Sequence, residues 1–116
     1  MKIVDFTGLN FIEIEGKQEK YWVYQLVRDA VKENMDRVQF LDWFYLSQLV
    51  GDKSWDYLAS RDELQSAGRC FKYMVRNRLV PIEDVSRPHK DTKRYRVNKS
   101  IPALWANALT LSIVQK

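Results

Sequence analysis

Gln65, Arg69, Lys72 and Arg76 follow one another at spacings of four, three and four residues, which puts all four on one face of a helix. Arg87, His89, Lys90, Lys93, Arg94 and Arg96 crowd into the stretch that follows. In a DNA major groove, glutamine pairs with adenine and arginine with guanine, while Lys and Arg also neutralise phosphates. Ser66, Tyr73 and Asn77 flank the helical stripe and are placed to donate to phosphate oxygens. The chemistry these residues suit is the binding of a polyanion. The expected contacts are Gln65, Arg69, Lys72, Tyr73, Arg76, Arg87, Lys90, Lys93, Arg94 and Arg96. The plain alternative is a solvated helix face next to a polar loop.

The charge distribution favours the first reading. Residues 1–68 hold eight Lys and Arg against twelve Asp and Glu, whereas residues 69–116 hold eleven against three. A whole-chain charge of +4 therefore hides an acidic first part and a strongly basic second part. Such asymmetry speaks to partners rather than to fold.

Other chemistries find little support. The single cysteine, Cys70, excludes an internal disulfide and suits a reducing cytosol. It reads as a buried thiol, although Arg69 beside it would lower its pKa if it were exposed. His89 is the only histidine, so no zinc set can be assembled with Cys70, and no nucleophile or orienting carboxylate lies near it for general-base work. Asp36, Asp42, Asp52 and Asp56 lack calcium-loop spacing, and the four glycines are isolated. The expectation is a non-enzyme without cofactor or metal. No apolar run reaches the roughly 20 residues of a membrane span, and Asp5 interrupts the N-terminus too early for a signal peptide. The expected location is the cytoplasm.

The elements that must position these residues follow from periodicity. With 116 residues, one domain that can bury a core is expected. Residues 3–15 read as an N-terminal hairpin around Thr7-Gly8-Leu9-Asn10. From about Glu19 to Met35, Trp22, Val23, Leu26, Val27, Ala30 and Val31 make a helical stripe. Val38 to Val50, with Asp36 as a cap and Gly51 as its end, is apolar nearly all round and reads as a buried central helix, with Val38-Gln39-Phe40 as a strand the other option. Ser54 to Leu58 is a short helical turn. Ser60 and Glu63 form a capping-box pattern that opens a helix over 60–78, with Gly68 in mid-helix allowing a neighbour to approach. Pro81 stops that helix. Residues 79–85 and 93–97 make two strands around a basic tip, with Tyr95 and Val97 on one face and Arg94 and Arg96 on the other. Residues 101–115 read as a last, largely apolar helix. Tyr21 and Tyr24 are expected to fall partly outward.

This order of helices, capped basic helix and basic hairpin resembles the winged helix-turn-helix superfamily. The residues that carry the likeness are Ser60 to Val75, Leu79-Val80 and Lys93-Arg94-Tyr95-Arg96-Val97, and it spans about Glu19 to Val97. The fold it implies is α+β and winged-helix-like: three or four helices, a C-terminal hairpin wing and the N-terminal hairpin, in a single domain over 1–116 with its core at 19–97. The resemblance implies a recognition helix at 60–78 and a wing at 80–97. It departs from the family in the long 51–59 connection and in the added N- and C-terminal elements. The implied function is non-catalytic binding of double-stranded DNA in transcriptional or replication control, with residues 101–115 as a candidate homodimer surface. The competing function is a protein-interaction or inhibitor module, of phage or mobile-element type, built on the same fold; RNA is a third candidate ligand.

Overall fold

The chain makes a tight turn at Glu15-Gly16, where both residues adopt positive φ, 50° and 84°, as a two-residue hairpin turn requires. The computed structural model, which describes residues 4–6, 9–88 and 92–103, accordingly begins with a three-stranded antiparallel sheet. Its order is β1 (Val4–Phe6), β2 (Leu9–Ile14), β3 (Lys17–Lys20). The sequence pattern predicts two strands here and a helix from Glu19. Instead Lys17–Lys20 pairs with β2, with Lys17 opposite Ile14 and Glu19 opposite Ile12. Residues directly opposite share a face of the sheet. Glu19 is therefore turned inward beside the buried Ile12, and only 4% of it is exposed.

Helix α1 (Tyr21–Val38) buries Val23, Tyr24, Val27, Ala30, Val31 and Val38. The predicted stripe is present and the helix runs further than expected, so that Asp36 lies inside it rather than capping a second helix. Tyr24 is fully buried, against the expectation of an outward ring, and only Tyr21, stacked on it at 6.4 Å, remains half-buried.

The largest departure is at residues 38–50. No long buried helix forms there. The chain leaves α1 through a turn in which Phe40 is 90% exposed. It then runs extended through Phe44, whose backbone N–H donates to Tyr95 O at 2.7 Å and whose carbonyl accepts from Tyr95 N–H at 2.9 Å. Only α2 (Leu46–Val50) is helical. A run that is apolar all round carries no period, so it does not distinguish helix from extended chain; the pairing with Tyr95 decides. Side chains of α1 close the end of α2: Asn34 Nδ2 donates to Leu49 O at 2.8 Å and Arg37 Nη2 to Gln48 O at 2.9 Å. Gly51, at φ 92°, then redirects the chain into α3 (Asp52–Ser60).

Ser60 ends a helix instead of opening one. Its Oγ donates to Tyr57 O at 2.6 Å, and Asp62 sits at φ 58°. The N–H groups of Asp62 and Glu63 donate back to Ala59 O and Leu58 O at 3.0 and 2.9 Å. This is a left-handed helix stop, and it engages the Glu63 amide that the Ser60 capping box would need. Helix α4 (Leu64–Arg76) ends in the same way, with Arg78 at φ 56° and the N–H groups of Arg78 and Leu79 donating to Val75 O and Met74 O.

Strands β4 (Ile82–Asp84) and β5 (Tyr95–Val97) form the second antiparallel sheet, with Asp84 opposite Tyr95. The fold is α+β, with four helices and two small antiparallel sheets among the described residues. Buried side chains from β2, α1, α2, α3, α4 and the second sheet form one cluster, in which Phe71 meets Tyr95 edge-on at 4.7 Å. His89, Lys90 and residues 104–115 of the expected last helix, with its dimer surface, lie outside the described residues, and 101–103 are not helical.

Gly68 does not serve close packing: a Cβ built on it meets nothing within 4 Å. Gly68→Ala should therefore raise the unfolding free energy by about 0.5–1 kcal/mol, the helix-propensity difference. Urea denaturation measures this, and a loss of stability would contradict the open geometry.

Candidate nucleic-acid interface

Helix α4 presents its two sides as the spacing predicts. Ser66, Ala67, Cys70, Phe71 and Met74 are buried, while Gln65, Arg69, Lys72 and Arg76 reach the surface. Burial, reinforced by the charge of Glu19, pushes the Cys70 thiol up to about 12. Cys70 is thus a protonated core side chain, and the low-pKa alternative does not arise.

The stripe is not four free cations. Glu19, reaching across from β3, accepts from Arg69 Nε at 2.6 Å, from Arg69 Nη2 at 3.0 Å and from Ser66 Oγ at 2.8 Å. Burial pushes the Glu19 carboxyl up, but the hydrogen bonds from Arg69 and Ser66 and the charge of Arg69 outweigh it, so its pKa lies below the ordinary carboxylate value. Arg69 is raised in turn by its bond to Glu19. Ser66, expected as a phosphate donor, is 4% exposed and spends its hydroxyl on Glu19. Arg76 lies 3.5 Å from Glu15, and Lys20 pairs with Glu63 at 2.6 Å. The acids of the N-terminal sheet therefore already occupy part of α4. Nothing local in the sequence signals this, because the partners lie about fifty or more residues apart.

The hairpin supplies the remaining cations. Arg94 sits over the Trp43 ring at 4.3 Å, Arg96 pairs with Glu83 at 3.2 Å, and Arg87 and Lys93 are exposed. Ser86 Oγ accepts from Arg94 N–H at 2.9 Å, and Val85 N–H donates to Arg94 O at 2.8 Å, which extends the hairpin toward its tip. Burial pushes the Tyr95 hydroxyl up to about 12. Tyr73 is half-buried against the core, and Asn77 Nδ2 donates to Tyr73 O at 2.8 Å. Neither of these two reaches out as freely as the sequence suggests.

Helix and hairpin meet at a groove of about 530 Å³. Gln65, Gly68, Arg69 and Lys72 line it from α4, and Thr92, Lys93 and Tyr95 from the hairpin side. Tyr45, Leu46, Ser47 and Trp55 close it from the α2–α3 side. Among the described residues no acid lines this groove. Among the described residues neither Lys72 nor Lys93 makes an ion pair. Tyr45 and Trp55 are not among the contacts expected from sequence, where the first falls in the predicted buried helix over 38–50 and the second in the short turn over 54–58.

Among the described residues no group of His, Cys, Asp and Glu is arranged to hold a metal ion, and no helix is long and apolar enough to cross a membrane. Comparison with protein-family models, curated proteins and solved structures finds no match to the chain.

Glu19→Gln should cost about 1–2 kcal/mol at neutral pH, because it leaves a buried polar cluster imperfectly paired. A carboxyl whose folded pKa lies below its unfolded value of about 4.5 contributes stability that is fully present above the unfolded value and is lost as pH falls through the folded one. The gap between wild type and Glu19→Gln should therefore narrow as pH falls below about 4.5 and on through the lower folded value. Denaturant midpoints from pH 7 down to pH 3 read this out, and a gap independent of pH would refute the assignment.

Proposed function

We propose that the chain is a non-catalytic module that binds double-stranded DNA through α4 and the β4–β5 hairpin, in a winged-helix-like arrangement, and acts in transcriptional or replication control. The observation that carries this reading is the adjacency of α4 and the hairpin: Lys72 and Lys93, from these two consecutive elements, line the same groove. The element order supports it too. Helix α1 precedes an extended segment at Phe44 that bridges to β5; α2, α3 and α4 follow, then the hairpin. In such an arrangement α4 offers Gln65 and Lys72 to the major groove, while Lys93, Arg87 and Arg94 hold the backbone. Arg69 acts mainly by anchoring α4 to Glu19.

A second reading, docking of a protein partner, is favoured by one observation. Phe40, Leu41 and Trp43 stand 90%, 43% and 38% exposed on the turn after α1. Contiguous exposed apolar surface is where protein partners dock.

Fluorescence anisotropy of a labelled random duplex of about 25 base pairs separates the two. With about three to five phosphates neutralised, log affinity should fall against log salt with a slope of about −3 to −5. Lys72→Ala with Lys93→Ala should reduce the slope by about 2 and weaken binding at least tenfold. Arg69 is unsuitable for this test, because its loss would strand Glu19 in the interior. Absence of binding at low salt would overturn the DNA reading in favour of the protein partner.

A further inference from the structure

We infer that the groove between α4 and the hairpin receives a single unstacked nucleotide, so that the preferred DNA is a duplex interrupted by unpaired residues rather than a continuous one. This rests on the DNA-binding reading above and specifies the ligand of the same face.

Three properties of the groove point to such a ligand. Its volume, about 530 Å³, falls within the range of pockets that enclose small molecules. A base pair held in the stack shows a protein only its edges, so it cannot enter a concavity of this kind; an unstacked base offers its whole faces. The half-buried aromatic residues Tyr45 and Trp55 are among those that line it, and aromatic rings are what unpaired bases stack on, whatever their identity.

The charge of the groove suits the phosphate attached to that base. Lys72 from α4 and Lys93 from the hairpin both line the groove, and among the described residues that line it none is a carboxylate. Gly68 explains why the space is open. It is the one position on the α4 wall without a side chain, and a Cβ there would touch nothing within 4 Å. A helix usually forgoes such a residue, and here its effect is to leave room beside Lys72.

The test compares three fluorescent probes of common sequence at fixed salt: a continuous duplex of about 25 base pairs, the same duplex with a three-nucleotide gap, and the single strand. The gapped duplex should bind about tenfold more tightly than the continuous one, within the range that stacking of one base contributes. Gly68→Leu puts a side chain into the groove and should bring that ratio to about one, with thermal melting used to confirm that the variant is folded. Equal affinity of the wild type for gapped and continuous duplex overturns the inference and leaves the DNA reading standing. Binding to the single strand alone supports nucleotide capture in the groove but overturns the duplex reading. Binding to none of the three overturns both.

Discussion

Tyr95 joins the parts of this structure. Its ring meets Phe71 of α4 edge-on at 4.7 Å, and its backbone exchanges hydrogen bonds with Phe44. One residue thereby fixes the hairpin to the helix and to the extended segment that follows α1. An aromatic ring buries much apolar surface and imposes a preferred geometry on its neighbours. The distance between Lys72 and Lys93, and hence the groove, follows from that joint. Its hydroxyl, pushed up to about 12 by burial, stays neutral and adds no charge to the groove.

Electrostatics supply the second constraint. The acidic and basic parts of the chain are not two separate surfaces, because the N-terminal sheet folds its acids onto α4. Glu19 holds Arg69, Glu15 approaches Arg76, and Lys20 in return holds Glu63. Of these contacts only the Glu19 cluster is well buried, and buried pairs with all their hydrogen bonds made are the ones that specify geometry. The Lys20–Glu63 pair is half-buried, and the Arg76–Glu15 pair is exposed and contributes little. The available positive charge is thereby shifted away from the N-terminal sheet and toward Lys72 and the hairpin.

The hairpin is itself held by contacts that leave some of its cations usable. Arg94 rests on Trp43, an arrangement that orders the guanidinium without neutralising it. Arg96 is paired with Glu83, which also accepts from Asn98 at 2.6 Å. Arg96 is therefore part of the strand's support, whereas Lys93, Arg87 and Arg94 make no ion pair among the described residues. The exposed Phe40 turn belongs to a different feature, the junction between α1 and the extended segment.

Periodicity alone was enough to place α1, the amphipathic α4 and the β4–β5 hairpin, because each has a strong repeat, although it set the end of α1 and the start of α4 a few residues early. It also determined that α4 would carry Gln65, Arg69, Lys72 and Arg76 outward. Sequence reading failed where local signals are ambiguous or serve two purposes. The run at 38–50 has no period, and Ser60 to Glu63 suits the end of one helix as well as the start of another. Lys17 to Lys20 is polar enough to be read as the approach to a helix until β2 is there to pair with it. Only the tertiary structure decided which cations are free, that Tyr45 and Trp55 line a groove, and that Gly68 opens space rather than closing it. The reason is physical: hydrophobic repeats act between residues three or four apart, whereas the Glu19–Arg69 bond and the Phe44–Tyr95 bridge join residues about fifty apart and exist only once the core has brought them together.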